Sequence, residues 1–120
     1  MSYRDLEIYN LSMDLFLRVH PLSLKLPKYE LYELGSQLRR SADSVPTNIV
    51  EGYGRRMYKA EYVRFLIFSH SSNDETINHI TKICKLYPEL SPEFQLLEND
   101  YNMLGAKINS YIKYVQNNWK

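Results

Sequence analysis

The residues of this chain best suited to chemistry lie between Ser36 and Leu66. Six basic side chains fall there, Arg39, Arg40, Arg55, Arg56, Lys59 and Arg64, against three acidic ones, Asp43, Glu51 and Glu61. The local balance of +3 contrasts with nine basic and eleven acidic residues elsewhere, so the overall net charge of +1 hides an asymmetry. Arginine and lysine in such a run can contact phosphate or an acidic partner. They can also serve the fold. Glu51 sits between Arg40, Arg55, Arg56 and Arg64 in sequence, where a directional carboxylate–guanidinium pair could clamp two helices at a corner. Asn48 could bond the exposed backbone there. Both readings stay open: a polar corner that fixes a turn, and a basic surface for nucleic acid or an acidic partner.

Other constellations carry less. His70 and Asp74, and Glu75 and His79, are each four apart and share a helical face. Bundle metal sites use Glu-x-x-His from two helices plus two further carboxylates, and that spacing is absent. Solvated or interhelical pairs are the expectation, with no metal and no cofactor. Cys84, the single cysteine, lies beside Ile83 and Leu86 and reads as a small buried thiol. No Ser-His-Asp arrangement on a strand-turn-helix is present. Gly52-x-Gly54 follows a helix and is too short to cradle phosphate. No enzymatic activity is expected.

Four apolar stripes with steps of three and four must position these residues. They are Ile8, Leu11, Leu15, Val19, Leu22, Leu26; then Leu31, Leu34, Leu38, Ala42, Val45, Ile49; then Tyr62, Phe65, Ser69, Ser72, Thr76, Ile80, Ile83, Tyr87; then Phe94, Leu97, Tyr101, Leu104, Ile108, Tyr111, Val115. This is the period of amphipathic helices, and no sustained alternation of period two occurs. Leu26-Pro27-Lys28, Gly52-Tyr53-Gly54 and Pro88 punctuate the stripes. The glycines are expected to end a helix by accepting left-handed angles. Ser91-Pro92-Glu93 reads as a helix start with Ser as N-cap. The spacing predicts helices over 4–25, 30–53, 58–86 and 92–118. Short connections force antiparallel neighbours, so the fold expected is an all-α, up-down-up-down four-helix bundle in a single domain, 1–120. Pro21 should kink or end the first helix. Pro46 should kink the second, with Ser41, Ser44, Thr47 and Asn48 satisfying the freed backbone groups. Small residues around Ser69, Ser71 and Ser72 should let the second helix approach the third closely.

The single cysteine precludes an internal disulfide and fits a reducing compartment. The first residues mix both charges without an apolar run, so a signal peptide is not expected, and no segment nears the ~20 apolar residues of a membrane span. A cytoplasmic protein with no membrane partner is the expectation. Eleven tyrosines suit either half-buried seams or an oligomer interface. Tyr9, Phe16, Tyr58, Phe68, Tyr114 and Trp119 lie off the stripes and would be left for such an interface.

The run from Arg40 to Arg55, followed by Glu61, Arg64-Phe65-Leu66 and then Ser72 with Glu75, resembles the four-helix bundle proteins encoded in intervening sequences of bacterial large-subunit ribosomal RNA genes. The ordered set R-x-x-S-x-P-x-N-I-x-E-G, then G-R, then R-F-L, carries the likeness, which spans nearly the whole chain and includes Tyr3-Arg4-Asp5-Leu6. Ser71 departs from it, standing where glycine is common, and Pro21 is not part of the pattern. The resemblance implies a ring-like homopentamer without known catalytic activity. It also implies a distant similarity to the basic pentameric accessory protein of diversity-generating retroelements. On this basis the chain is expected to be a non-enzymatic homo-oligomer that binds RNA or a nucleic-acid-processing protein through Arg39, Arg40, Arg55, Arg56, Lys59 and Arg64. Pro46, Asn48, Glu51, Gly52, Gly54, Ser72 and Glu75 would form the structural corner. A protein–protein scaffold without RNA binding is the alternative.

Overall fold

A computed structural model describes residues 1–120. Four helices carry the chain: α1 (Glu7–Ser23), α2 (Leu34–Gly54), α3 (Lys59–Leu86) and α4 (Ser91–Asn118), with single 3-10 turns at Tyr3–Asp5, Lys28–Glu30 and Pro88–Leu90. There is no β-strand. Each helix packs on its neighbours in order, with α4 closing back on α1. Side-chain bonds fix the directions. Thr76 meets Ser41 while Ser69 meets Val45, and Asn73 meets Tyr101 while Thr81 meets Glu98. Glu7 reaches Lys107 while Lys25 reaches Glu93. All three adjacent pairs therefore run antiparallel, giving an up-down-up-down bundle of 48 × 22 × 20 Å.

The stripes face inward as their spacing requires. Val19, Leu38, Ala42, Val45, Ile49, Tyr62, Ile80, Ile83, Phe94, Tyr101, Ile108 and Val115 are fully buried. The first two helices are shorter than their stripes. Ser2 caps a separate turn by accepting from the Arg4 amide while Asp5 returns the bond to the Ser2 amide, and Leu6 interrupts before α1. Pro21 lies in the last turn of α1, two residues from its end. Leu31 falls in the turn before α2. Ser91 is the first residue of α4 and makes no capping bond, because the turn from Pro88 already leads into that helix.

Pro46 lies inside α2, as expected, and is buried there although it stands off the apolar stripe. The polar neighbours do not act as expected. Ser41, Ser44 and Asn48 donate to the carbonyls of Leu38, Arg40 and Ser44, and none reaches that of Ala42, which Pro46 deprives of its amide. The interhelical bond comes from the other side: Ser69 Oγ donates to the Val45 carbonyl at 2.8 Å.

A polar layer runs through the middle of α3. Thr76 Oγ1 lies 2.9 Å from Ser41 Oγ and 2.8 Å from the Ser72 carbonyl, its one hydrogen shared between them. Asn73 Nδ2 donates to the Tyr101 carbonyl at 2.9 Å. Gly105 makes that possible, since a Cβ there would sit 2.9 Å from Asn73 Nδ2. His79 is buried as well, with Nδ1 lacking a protein partner and Nε2 3.8 Å from Glu75. Burial, then nearby Lys82, holds the His79 imidazole below its ordinary pKa, while Glu75 pulls it up. A depressed folded pKa means that the unfolded chain takes up the proton first as pH falls. Stability should therefore be complete above about pH 6.5 and drop below it. Thermal midpoints followed from pH 7 to pH 5 should fall more steeply for the wild type than for His79→Gln.

Gly52 and Gly54 act differently from the expectation. No glycine has a positive φ, and α2 continues through both. A Cβ at Gly52 would stand 3.0 Å from Phe65 Cβ and 3.3 Å from Tyr62, whereas one at Gly54 would meet nothing within 4 Å. Gly52 is thus required for the approach of α3, and Gly54 is not. Gly54→Ala should stabilise by about 0.5–1 kcal/mol through the unfolded chain. Gly52→Ala should destabilise by about 1–3 kcal/mol despite the same propensity gain. Chemical denaturation midpoints of the two variants check the contrast.

Candidate functional site

The corner between α2 and α3 is a tight turn. Arg55 N bonds the Gly52 carbonyl, Arg56 N that of Tyr53, and Tyr58 N that of Arg55, at 3.0, 3.2 and 2.9 Å. Trp119, just past α4, donates Nε1 to the Arg56 carbonyl at 2.9 Å and sets its indole edge-on to buried Tyr62, 5.3 Å between centroids. Tyr62 in turn packs edge-on to Tyr53 and Tyr111 and exchanges a 2.8 Å hydroxyl bond with Tyr111. Burial and the Tyr111 hydroxyl push the Tyr62 phenol well above its usual range. Trp119 therefore latches the corner, a role that nothing in the spacing of the residues assigns to it.

The six basic residues do not form one patch. Arg39 and Arg55 are sixteen residues apart, about 24 Å along a helix. Arg39 is half-buried and structural: its guanidinium donates to the Leu31 carbonyl at 2.6 Å and to Ser23 Oγ at 2.9 Å, tying the α1–α2 connection to α2. Gly35 leaves room for it, since a Cβ there would lie 3.1 Å from Arg39 Nη1. Arg40 is exposed beside a shallow depression lined by Phe16, His20, Ser36, Arg39 and Asp43.

At the corner itself Glu61 does what was expected of Glu51. Its two oxygens take Arg55 at 3.1 Å and Arg64 at 2.9 Å, joining the turn to the first turns of α3. Glu51 is exposed and makes one 3.5 Å pair with Arg55, its own i+4 neighbour, so it clamps nothing across the helices. Asn48 bonds within α2 and does not reach the corner. Ser72 is half-buried and receives Thr76 on its carbonyl, and Glu75 is exposed near His79. Arg56 and Lys59 have no carboxylate within 4.0 Å. Arg56 instead lies flat against Tyr53, 4.0 Å from the ring centroid, and donates to the Tyr53 carbonyl at 2.9 Å.

Of the off-stripe aromatics, Tyr9, Phe16 and Trp119 pack partly against the core, while Tyr58, Phe68 and Tyr114 are exposed. His, Cys, Asp and Glu side chains nowhere gather in threes as a metal would need. No helix is long and apolar enough to cross a membrane.

A family model described as 23S rRNA-intervening sequence protein matches residues 4–110. The chain belongs to that family. The matched span holds all six basic residues and the whole α2–α3 turn, while Trp119 and Tyr114 lie beyond it. The family description states no ligand and no reaction. A search of curated proteins found no match.

Glu61→Ala should cost about 0.5–1 kcal/mol, since it removes the bridge between Arg55 and Arg64 and leaves Arg55 only its Glu51 pair. Glu51→Ala should stay within about 0.5 kcal/mol of the wild type. Urea midpoints for the two variants measure the difference.

Proposed function

We propose that this chain is a non-enzymatic, cytoplasmic homo-oligomer that binds RNA at the α2–α3 corner. The observation that carries the reading is the pair of uncompensated cations, Arg56 on the hydrogen-bonded turn and Lys59 at the first residue of α3, beside Arg55 and Arg64, which Glu61 and Glu51 neutralise. A fixed backbone presents these charges without ordering a loop first, and phosphate is the group they suit. Assembly is the second part of the reading. The seam between α1 and α4 carries open grooves of about 450 and 260 Å³, lined by Leu17, Leu22 and Leu96 and by Leu11, Leu15 and Met103. Leu17, Leu96 and Met103 are about three-fifths exposed in a lone bundle. Charged Arg18, Lys25 and Glu93, and Asp14, Asp100 and Lys107, share these grooves, so the seam offers exposed large apolar side chains among charges of both signs, a surface suited to a self-complementary contact. A second copy of the chain is its occupant, and a pentamer is the number that the family resemblance implies. With the seam covered, the corner stays open on every subunit, and repeated weak contacts add their strength.

Light scattering at micromolar concentration should give a mass several times the 14.3 kDa of one chain, and Leu17→Glu with Leu96→Glu should return it to that of one chain. A wild type that runs as a monomer would contradict the assembly. Replacing Arg56 and Lys59 by Ala should leave the fold intact and weaken RNA binding. The dependence of log affinity on log salt should flatten by roughly one unit for each phosphate that the variant no longer neutralises. A wild type that shifts no RNA at low salt would make the oligomer a protein scaffold.

A further inference from the structure

Resting on that reading of the corner, we propose that its ligand is an unpaired RNA segment held by base stacking on Arg56 and Tyr58, and not a duplex held by its phosphates. The charge at the corner is too small for the second. Arg55 and Arg64 are occupied by Glu61, and Arg55 also by Glu51, so the corner of each subunit offers phosphate only exposed Arg56 and half-buried Lys59. Proteins that hold duplexes through the backbone neutralise many phosphates, and a stiff duplex that meets one corner at a time finds only two such cations, which give little affinity at physiological salt.

What the corner has in excess is aromatic surface interleaved with guanidinium. Every stack of an arginine on a ring in this molecule lies at the one end where α1 and α3 begin and α2 and α4 finish: Arg4 on Tyr3, Arg55 on Phe65, Arg56 on Tyr53, and Arg64 on Phe65 and Phe68. Arg56 is the one of these at the turn with no carboxylate partner. Its plane is already fixed by the Tyr53 ring and the Tyr53 carbonyl, and the residue remains exposed. Its outer face is a ready platform for a base. Tyr58, two residues on, is 67% exposed, and Met57 between them is 82% exposed. The turn that carries all three is locked by the Tyr58 N to Arg55 carbonyl bond and by Trp119 on the Arg56 carbonyl. Rigid, flat, solvent-facing groups flanked by one or two cations are the equipment of single-strand binding, in which each base stacked adds roughly tenfold to affinity with little sequence preference. A duplex keeps its bases stacked on each other and cannot offer them.

The test uses the full chain and fluorescein-labelled RNAs: twelve-nucleotide oligo(A) and oligo(U), and a twelve-base-pair duplex, followed by anisotropy at low salt. The single strands should bind at least tenfold tighter than the duplex, with a log–log salt slope near −1.4 per engaged subunit, from about 0.7 per neutralised phosphate on a single strand. Tyr58→Ala should weaken single-strand binding about tenfold without changing that slope, and Tyr58→Phe should restore it. Arg56→Lys, which keeps the charge and loses the plane, should weaken binding with the slope unchanged. A duplex that binds as tightly as the single strands would overturn the stacking and leave the corner as a phosphate surface. So would Tyr58→Ala and Arg56→Lys that match the wild type. Failure of all three RNAs to bind would overturn the RNA reading of the corner along with it.

Discussion

Along the contact between α2 and α3, small side chains let two backbones come close enough to bond through a single hydroxyl. Ser69 reaches the Val45 carbonyl, Thr76 reaches Ser41, and Gly52 lies against Phe65 and Tyr62 with no room for a methyl group. The fully buried Ala42 continues this close-packed face. Close approach of this kind is unforgiving, because a packed interior has no slack into which an added methylene can move. The corner inherits its rigidity from that contact. The turn Arg55–Tyr58 is short because α2 and α3 leave no distance to span, and Glu61 and Trp119 then tie it to α3 and α4.

The polar layer within the same contact sets which alignment of the helices is stable. A slip of one turn would strand Ser69, Asn73 and Thr76 away from Val45, Tyr101 and Ser41. Each buried polar group left without a partner costs about 1–3 kcal/mol. The layer is not fully satisfied, since Asn73 Oδ1, His79 Nδ1 and the Tyr101 hydroxyl have no protein partner. Burial accordingly drives the Tyr101 phenol far above its usual range. By contrast the α1–α4 seam is bridged by exposed ion pairs, Arg18–Asp100, Lys25–Glu93 and Glu7–Lys107, which share the open grooves with leucines and Met103. Exposed pairs hold weakly. The molecule thus has one tight seam that organises the corner and one loose seam open to a partner.

Much of this was legible in the residues. The four stripes, their stop signals and the place of Pro46 inside α2 follow from helical spacing, and the close contact was readable from the small residues Ser69, Ser71 and Ser72, of which Ser69 is the buried one. Local charge counting misled where neighbours in space differ from neighbours in sequence. Arg39 and Arg40 lie near the basic corner in sequence but about 24 Å away along a rigid helix. Glu51 lies within the arginine run yet faces solvent, while Glu61, in the first turn of α3, carries the bridge. Asn73 and His79 flank the α3 stripe, and a polar residue beside an apolar stripe reads as solvent-facing until a neighbouring helix covers it. Trp119 gave no periodic signal because it lies beyond the last helix, and only the antiparallel return of α4 brings it to Arg56. The glycines signalled a corner correctly, but Gly52 serves contact and not backbone conformation.

If the close approach of α2 to α3 holds both the corner and the fold together, equilibrium denaturation of Ser69→Leu will expose it. Ser69 is fully buried against the Val45 carbonyl, so a larger side chain there has to push the helices apart. The expected loss is about 1–3 kcal/mol or more, although leucine is the more hydrophobic residue and the better helix former. A Ser69→Leu variant as stable as the wild type, or more stable, would show that the seam has room to spare and that the corner draws its rigidity from elsewhere.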